Sequence, residues 1–397
     1  MTATEFLEEY SVERRNTGCE KWDGLQQIYG QEDLLPLWVA DMDFKTPPAV
    51  QEAMVDKIQH GAFGYGFAPA GYHDAVSNWQ QNRHGYKIQK EWLRFSSGVV
   101  SALYRMVGAF TAPEDAIMIM TPVYYPFKRV IEGMGRKTVA HSLQNTNGRY
   151  TIDFKGFEEQ IAQNAVKILV YCSPHNPVGR VWTLEEHESV LNICRKHNVL
   201  VISDEIHQDI LLAKSKHIPT LSVAGGSHAD HVVTLTAASK TFNMAGLAHA
   251  HIFLADEKLR KQYDDYIKAT MGEAPLNIMS CVATQAAYQK GEDWLEGLLR
   301  VIEQNYLLLK QEVEANLPKA ILSPLEGTYL AWLDLRGYLG TDVKKVKQIV
   351  QEKAKLAIDF GEWFGEEGRG FIRINLGTTP AIVKQAVSQL IEAINEG

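Results

Sequence analysis

Short apolar runs separated by amphipathic stretches organise the middle of the chain. Ala116–Met120, Lys167–Cys172, Val199–Ser203, Val232–Thr236 and His251–Leu254 are rich in β-branched and aliphatic residues, nearly continuous, and bounded by turn residues. Runs of that length without alternation are the pattern of strands covered on both faces. Between two of them, Thr183-Leu-Glu-Glu186 has the form of an N-cap with a glutamate at the third helical position, which predicts a helix to about Arg195 with an apolar stripe of Leu184, Val190, Leu191 and Cys194. Strand, helix and strand in succession predict an α/β core around a largely parallel sheet.

The last hundred residues follow a different pattern. Trp294 to about Ala315 is a long amphipathic helix, Gly327–Leu335 and Phe371–Asn375 alternate like half-buried strands, and Ala381–Asn395 is a second amphipathic helix. They form a smaller α+β unit. The first fifty residues are irregular and contain proline, and are expected to pack back on that unit. The resulting division is an N-terminal segment 1–50, a large domain 51–290 and a small domain 291–397. Trp22, Trp79, Trp92 and Trp294 are assigned to the core.

Composition narrows the classes. The chain has 397 residues, 45% hydrophobic and 22% charged, with net charge −8. It is ordinary globular material, long enough for a large core without staples. An acidic balance without like-charge blocks argues against a nucleic-acid partner. Cys19, Cys172, Cys194 and Cys281 form no paired motif, so they are expected to be free thiols in a reducing, cytoplasmic setting, and no metal site is expected. The start of the chain carries Glu5, Glu8 and Glu9 and no apolar h-region, and no apolar stretch reaches membrane-spanning length, so neither a signal peptide nor a membrane partner is expected.

Three polar groups follow directly on predicted buried strands. Asn176 lies in the Ser173–Gly179 turn, Asp204 follows Val199–Ser203, and Lys240 follows Val232–Thr236. Singly, each has a plain reading: a turn residue, a helix cap and a surface lysine. Together they arrive at the carboxyl edge of one sheet, where open α/β folds bind ligands. A buried lysine of depressed pKa can condense with an aldehyde cofactor. An acid can protonate a pyridine nitrogen so that the ring draws electrons. An amide can hydrogen-bond a ring oxygen, and His207, three residues past Asp204, can assist.

These residues belong to an ordered set of motifs: Leu37–Phe44 (LWVADMDF), Phe63-Gly-Tyr65, Ser97-Gly-Val-Val100, Thr121–Phe127 (TPVYYPF), Cys172–Arg180 (CSPHNPVGR), Ser203–His207 (SDEIH), Ser239–Asn243 (SKTFN), Glu326–Leu330 (EGTYL) and Arg373-Ile-Asn375. The set spans nearly the whole chain. It resembles fold-type I pyridoxal-phosphate enzymes of the aminotransferase class I/II superfamily, and within them the MalY/PatB branch of cysteine–sulfur β-lyases that includes cystalysin. The resemblance implies a large domain with a mostly parallel seven-stranded sheet between helices, a smaller α+β domain, and a homodimer with a shared active site. It implies pyridoxal 5'-phosphate as cofactor and L-cystathionine, L-cysteine or a cysteine S-conjugate as substrate, cleaved to a thiol or sulfide, pyruvate and ammonia.

By that resemblance Lys240 carries the cofactor aldehyde, Asp204 meets the pyridine nitrogen, Asn176 the phenolate oxygen, and Tyr124 stacks on the ring. Gly98, Val99 and Val100 open a helix whose free N–H groups suit the phosphate, aided by the Ser239 hydroxyl and by Tyr65 reaching across the dimer interface. His207 lies beside the ring. Arg373 clamps the substrate carboxylate, with Val39, Asn176 and Tyr125 near it, and Tyr124 or Tyr125 protonates the leaving sulfur. Three positions depart from aspartate aminotransferase-like members. Ala237 and Ala248 stand where those carry a hydroxyl residue and an arginine on the phosphate, and His207 replaces the usual tyrosine. The alternative activity is an aminotransferase, which shares every cofactor residue.

Overall fold

The computed structural model describes residues 1–272 and 276–396. Its centre is a seven-stranded sheet built from β1 (Leu93–Ser96), β2 (Ala116–Thr121), β3 (Lys137–Ser142), β4 (Ile168–Cys172), β5 (Leu200–Asp204), β6 (Val232–Thr236) and β7 (Ala250–Phe253). The spatial order is β1-β7-β6-β5-β4-β2-β3. β7 is antiparallel to both its neighbours, and the pairs from β6 through β3 are parallel. This is the mostly parallel seven-stranded sheet that the resemblance implied, and the five apolar runs are β2, β4, β5, β6 and β7 to within a residue or two.

Their continuous hydrophobicity has a simple cause. Alternate residues enter two different cores. Met118, Leu169, Tyr171 and Val201 face one, with Val190, Leu191 and Cys194 of a covering helix. Ile117, Ile119, Val170 and Ile202 face the other, with Ala102, Leu103 and Met106 of helix Val99–Phe110 and Tyr263 of helix Glu257–Thr270. With helices on both faces, neither side of a strand can be polar.

The helix predicted from Thr183 runs Leu184–Lys196 and carries the full capping box, Thr183 and Glu186 each bonding the other's backbone N–H. Its stripe is corrected. Leu184 is exposed and His187 is buried instead, because the inward face runs 187, 190, 191, 194 at helical spacing and position 184 lies at the solvent-facing first turn.

The C-terminal region holds a four-stranded antiparallel sheet of β8 (Ile321–Leu322), β9 (Leu330–Asp334), β10 (Asp359–Phe360) and β11 (Phe371–Asn375), in the order β8-β9-β11-β10. Helices Glu292–Asn316 and Pro380–Glu396 accompany it. β9 and β11 were expected to be half-buried, yet every residue of both is buried. Ala331, Leu333, Ile372 and Ile374 give the apolar side, which enters the core. The other side carries Trp332, stacked 5.0 Å from Phe371, beside Arg373 and Asn375, and the N-terminal segment covers it: Arg373 donates to the Trp38 carbonyl, and Asn375 Nδ2 donates to the carbonyls of Val39 and Asp41.

That N-terminal segment is more regular than expected. Helix Ala3–Tyr10 opens with a Thr2/Glu5 capping box, a signal of the same form as Thr183/Glu186. Its Phe6 sits edge-on to Phe44 and Trp294. Leu35–Pro36 then pairs in parallel with Leu356–Ala357. Trp22, Trp79 and Trp294 are buried and Trp92 is half-buried against the core. The four cysteines are free and buried. No described helix is long and apolar enough to cross a membrane.

Candidate active site

The carboxyl edge of the central sheet collects the site. Asp204 is the last residue of β5, Asn176 follows β4, Tyr124 follows β2, and Lys240 sits in the helical turn Ala238–Thr241 after β6. They surround a cavity of about 240 Å³ that is also lined by Gly98, Val99, Val100, His207 and Ser239. Nine residues singled out from the sequence therefore meet in one place.

Gly98 has φ +142° as the N-cap of helix Val99–Phe110. That backbone conformation is open to glycine and strained for other residues. Val99, Val100 and Ser101, the first residues of the helix, line the cavity, and the free N–H groups and dipole of a helix start suit that end of it to an anion.

Lys240 extends toward the N-terminal segment, where Nζ donates to the Ala40 carbonyl at 2.5 Å. The Tyr329 hydroxyl donates to the same oxygen at 2.7 Å. Burial pulls the Lys240 ammonium down to about 8; Arg373 adds to this, while Asp41 and Asp204 oppose it. Burial likewise pushes the Asp204 carboxyl up to about 7, against a hydrogen bond from the Ile206 N–H. Desolvation thus brings an amine and a carboxyl close to neutrality, where each changes charge readily. Burial also raises the Tyr124 phenol to about 12 and holds His207 well below its ordinary value, the latter with help from Lys240 and Arg373. Tyr124 therefore keeps its proton, and His207 is a neutral ring set edge-on to Tyr329.

Arg373, in the middle of β11, is buried and does not line this cavity. It acts on it through Asn176. Nη1 donates to Asn176 Oδ1 at 3.0 Å, so the amide must present Nδ2 to the cavity. Nη2 donates to the Trp38 carbonyl at 3.0 Å and pairs with Asp359, its antiparallel neighbour in register. Burial pushes the Asp359 carboxyl up, and Arg373 opposes that. Arg373 Nε is buried and has no partner among the described residues.

Tyr125 packs on Phe364 and Trp363 and lines a neighbouring cavity of about 300 Å³ that shares Tyr124 with the first. Val39 is half-buried, and its carbonyl is occupied by Asn375. Tyr65 is not brought to the cavity by its own chain; it stands fully exposed, with Phe63 and Phe67 exposed beside it.

The sequence assigned no role to Ala40 and Tyr329, although they lie inside the LWVADMDF and EGTYL motifs, and did not point to Asp359 or His249. Ala40 acts through its carbonyl, which no residue type announces. Asp359 is recognisable only once the register sets it opposite Arg373. His249 lines the cavity next to Ala248, where aspartate aminotransferase-like members carry an arginine.

The donor set fits a pyridine aldehyde with a phosphate arm. It offers an N–H cradle at one end, an amine for the aldehyde, a carboxyl for a ring nitrogen, an amide N–H for a ring oxygen and a flat aromatic wall. Among the described residues no cluster of His, Cys, Asp or Glu is arranged to hold a metal ion.

Comparison with known proteins agrees with that donor set. The family model described as aminotransferase class I and II matches residues 32–390. Cystathionine beta-lyase PatB of Bacillus subtilis is 38% identical over 383 residues, covering 96% of this chain and 98% of that protein. The crystal structure of cystalysin from Treponema denticola, which contains pyridoxal 5'-phosphate, superposes with a TM-score of 0.93 at 35% identity, covering 97% of this chain and 98% of that one. A pyridoxal-phosphate-bound C-S lyase from Staphylococcus hominis gives a TM-score of 0.91 at 33% identity, covering 98% and 99%.

Proposed function

Because the chain belongs to the aminotransferase class I and II family, we propose that it is a pyridoxal-phosphate-dependent carbon–sulfur β-lyase. Its substrates are L-cystathionine, L-cysteine or cysteine S-conjugates, and its products are a thiol or sulfide, pyruvate and ammonia. The observation that carries this reading is the meeting of Lys240, Asp204 and Asn176 in one buried cavity. The lyase names of relatives that cover nearly the whole chain support it over transamination.

The bound cofactor supplies an electron sink in conjugation with the substrate nitrogen. Asp204 would meet the ring nitrogen and hold its proton. Asn176, oriented by Arg373, would donate to the ring oxygen, and Tyr124 would fix the ring plane. The first N–H groups of helix Val99–Phe110 and the Ser239 hydroxyl would hold the phosphate, joined by Tyr65 of a second subunit. Arg373, behind Asn176 and with Nε unpartnered among the described residues, would take the substrate carboxylate once substrate enters. Lys240, poised near neutrality, takes the Cα proton. The Cβ–S bond breaks with its electrons leaving on sulfur, and a tyrosine phenol supplies the proton. Tyr124 is the better placed of the two tyrosines because it lines the cavity. Water then releases the carbon skeleton as pyruvate and the nitrogen as ammonia. The working form is a homodimer in the cytoplasm, a setting that suits four buried free cysteines.

The test is incubation of holoenzyme with L-cystathionine and no keto acid. Equal release of pyruvate, ammonia and thiol over many turnovers is expected. Turnover that appears only when a keto acid is supplied would make the reaction a transamination.

A further inference from the structure

The phosphate end of the cavity raises a problem that the chain must solve. A phosphate carries close to two negative charges. The two positions that would hold a hydroxyl and an arginine on it in aspartate aminotransferase-like members are Ala237 and Ala248. Among the described residues lining the cavity, the only Lys or Arg is Lys240, whose amine is committed to the aldehyde. Helix N–H groups, the hydroxyls of Ser97, Ser101 and Ser239 and the Tyr65 proposed from a second subunit remain, none of them a cation.

Next to the missing arginine stands His249. Ala248 adopts a left-handed conformation, φ +49°, and the following His249 is more than nine-tenths buried and lines the cavity. Its Nε2 lies 2.7 Å from the Tyr72 hydroxyl, which lies 2.6 Å from Nε2 of His251. Nδ1 of His251 is in turn 3.5 Å from the Thr236 hydroxyl. Among the described residues no hydrogen bond to Nδ1 of His249 is found, and the ring stands between this cavity and a neighbouring one lined by Phe95, Ser96, Arg105 and Asn277. Tyr72 and His251 are themselves buried, so this row of four side chains has no access to bulk water to satisfy it.

We propose that His249 donates its Nδ1–H to the phosphate of the cofactor and takes over the contact that the absent arginine would make, with Tyr72 as the positioning residue that holds its ring and tautomer. The inference rests on the reading of the cavity as a pyridoxal-phosphate site.

The proton count supports it. Burial holds His249 down to about 4 and His251 well below its ordinary value, so both rings are neutral and each carries one N–H. The Tyr72 hydroxyl has a single proton to give. Thr236 can donate to His251 Nδ1, His251 Nε2–H to the Tyr72 oxygen, and Tyr72 O–H to His249 Nε2. That order satisfies all four groups and leaves the His249 proton on Nδ1; the reverse order satisfies them too and leaves a lone pair there, so an anion at Nδ1 selects the first. A neutral ring that donates to a phosphate makes a charge-assisted hydrogen bond without bringing a second buried cation beside Lys240.

The experiment compares pyridoxal 5'-phosphate with pyridoxal, which lacks the phosphate, in absorbance titrations of cofactor-free full-length protein. His249→Ala is expected to weaken binding of the phosphorylated compound roughly tenfold to a hundredfold and to leave pyridoxal affinity unchanged. Tyr72→Phe is expected to move in the same direction by a smaller factor, again for the phosphorylated compound alone. His249→Asn places an N–H near the position of Nδ1, and His249→Gln places one near Nε2. The asparagine variant is therefore expected to hold the phosphorylated compound more tightly than the glutamine variant, with equal affinity for pyridoxal. That pair carries the test if the alanine variant does not fold. Equal losses for both compounds in His249→Ala would make His249 a packing residue and overturn the proposal, as would equal phosphate-dependent affinity in the asparagine and glutamine variants. Wild-type protein that captures neither compound would instead overturn the cofactor site on which the proposal rests.

Discussion

Removing Arg373 tests the site at its most connected point. Arg373 and Asp359 are both almost wholly buried, and the guanidinium also donates to Asn176 and to the Trp38 carbonyl. Arg373→Met keeps most of the stem's volume and deletes the charge. It leaves Asp359 as an unpaired carboxylate whose Oδ1 already lacks a partner among the described residues. Breaking one side of a buried pair costs about 3–5 kcal/mol, and that is the expected loss of stability near neutral pH. The loss has a pH signature. Burial raises the folded-state pKa of Asp359, and Arg373 is what opposes the rise. A carboxyl whose folded pKa exceeds its unfolded value favours the folded state at low pH and loses that contribution as pH rises through the folded pKa. The stability of Arg373→Met should therefore fall from about pH 4 upward, over a wider window than in the wild type.

Denaturant unfolding of the cofactor-free protein across this range measures the loss. Arg373→Met/Asp359→Asn should recover at least about 1 kcal/mol relative to the sum of the single variants. Kinetics provide the second readout. If Arg373 holds the substrate carboxylate, kcat/KM in Arg373→Met should fall by about 2–5 kcal/mol, or roughly thirtyfold to several thousandfold. Asp359→Asn, which keeps the guanidinium, should retain substrate binding. Additive stability losses would refute the coupling of the pair. A kcat/KM in Arg373→Met close to the wild-type value would remove Arg373 from substrate binding.

Cofactor capture by Lys240 should accelerate with pH toward a plateau above about 8, because the neutral amine is the nucleophile and burial has lowered its pKa; stopped-flow absorbance with a midpoint near that of an ordinary lysine would refute this. Lys240→Ala should abolish turnover, and mixing it with Tyr65→Ala subunits should regenerate activity if the exposed Tyr65 serves a neighbouring subunit; no recovery after subunit exchange would argue that each chain works alone. Thr183→Ala should cost about 1 kcal/mol by removing the capping box of helix Leu184–Lys196, without changing KM, as thermal unfolding and steady-state kinetics can check.

Local chemistry and periodicity determined much of this protein before any contact was known. Strands β2, β4, β5 and β6 announce themselves because helices cover both faces of a parallel sheet, so apolar residues run without interruption. The polar residues that follow such runs are delivered to the carboxyl edge, which is why Asn176, Asp204 and Lys240 could be picked out and are found around one cavity. Capping boxes are equally local, and the one at Thr2/Glu5 was there to be read.

What tertiary structure alone decided involves partners distant in the chain. Asp359 meets Arg373 because β10 and β11 pair in antiparallel register. The orientation of the Asn176 amide is set by a guanidinium 197 residues away. The Ala40 carbonyl reaches Lys240 across 200 residues through an atom that every residue possesses. Tyr72 lies 177 residues before His249, and no spacing rule joins them. The strands β9 and β11 look half-exposed because their polar faces, which alternation assigns to water, are covered by the N-terminal segment and carry Arg373 and Asn375. Periodicity records which side chains share a face; it does not record what covers that face, and here the covering layer decides how the site is charged and held.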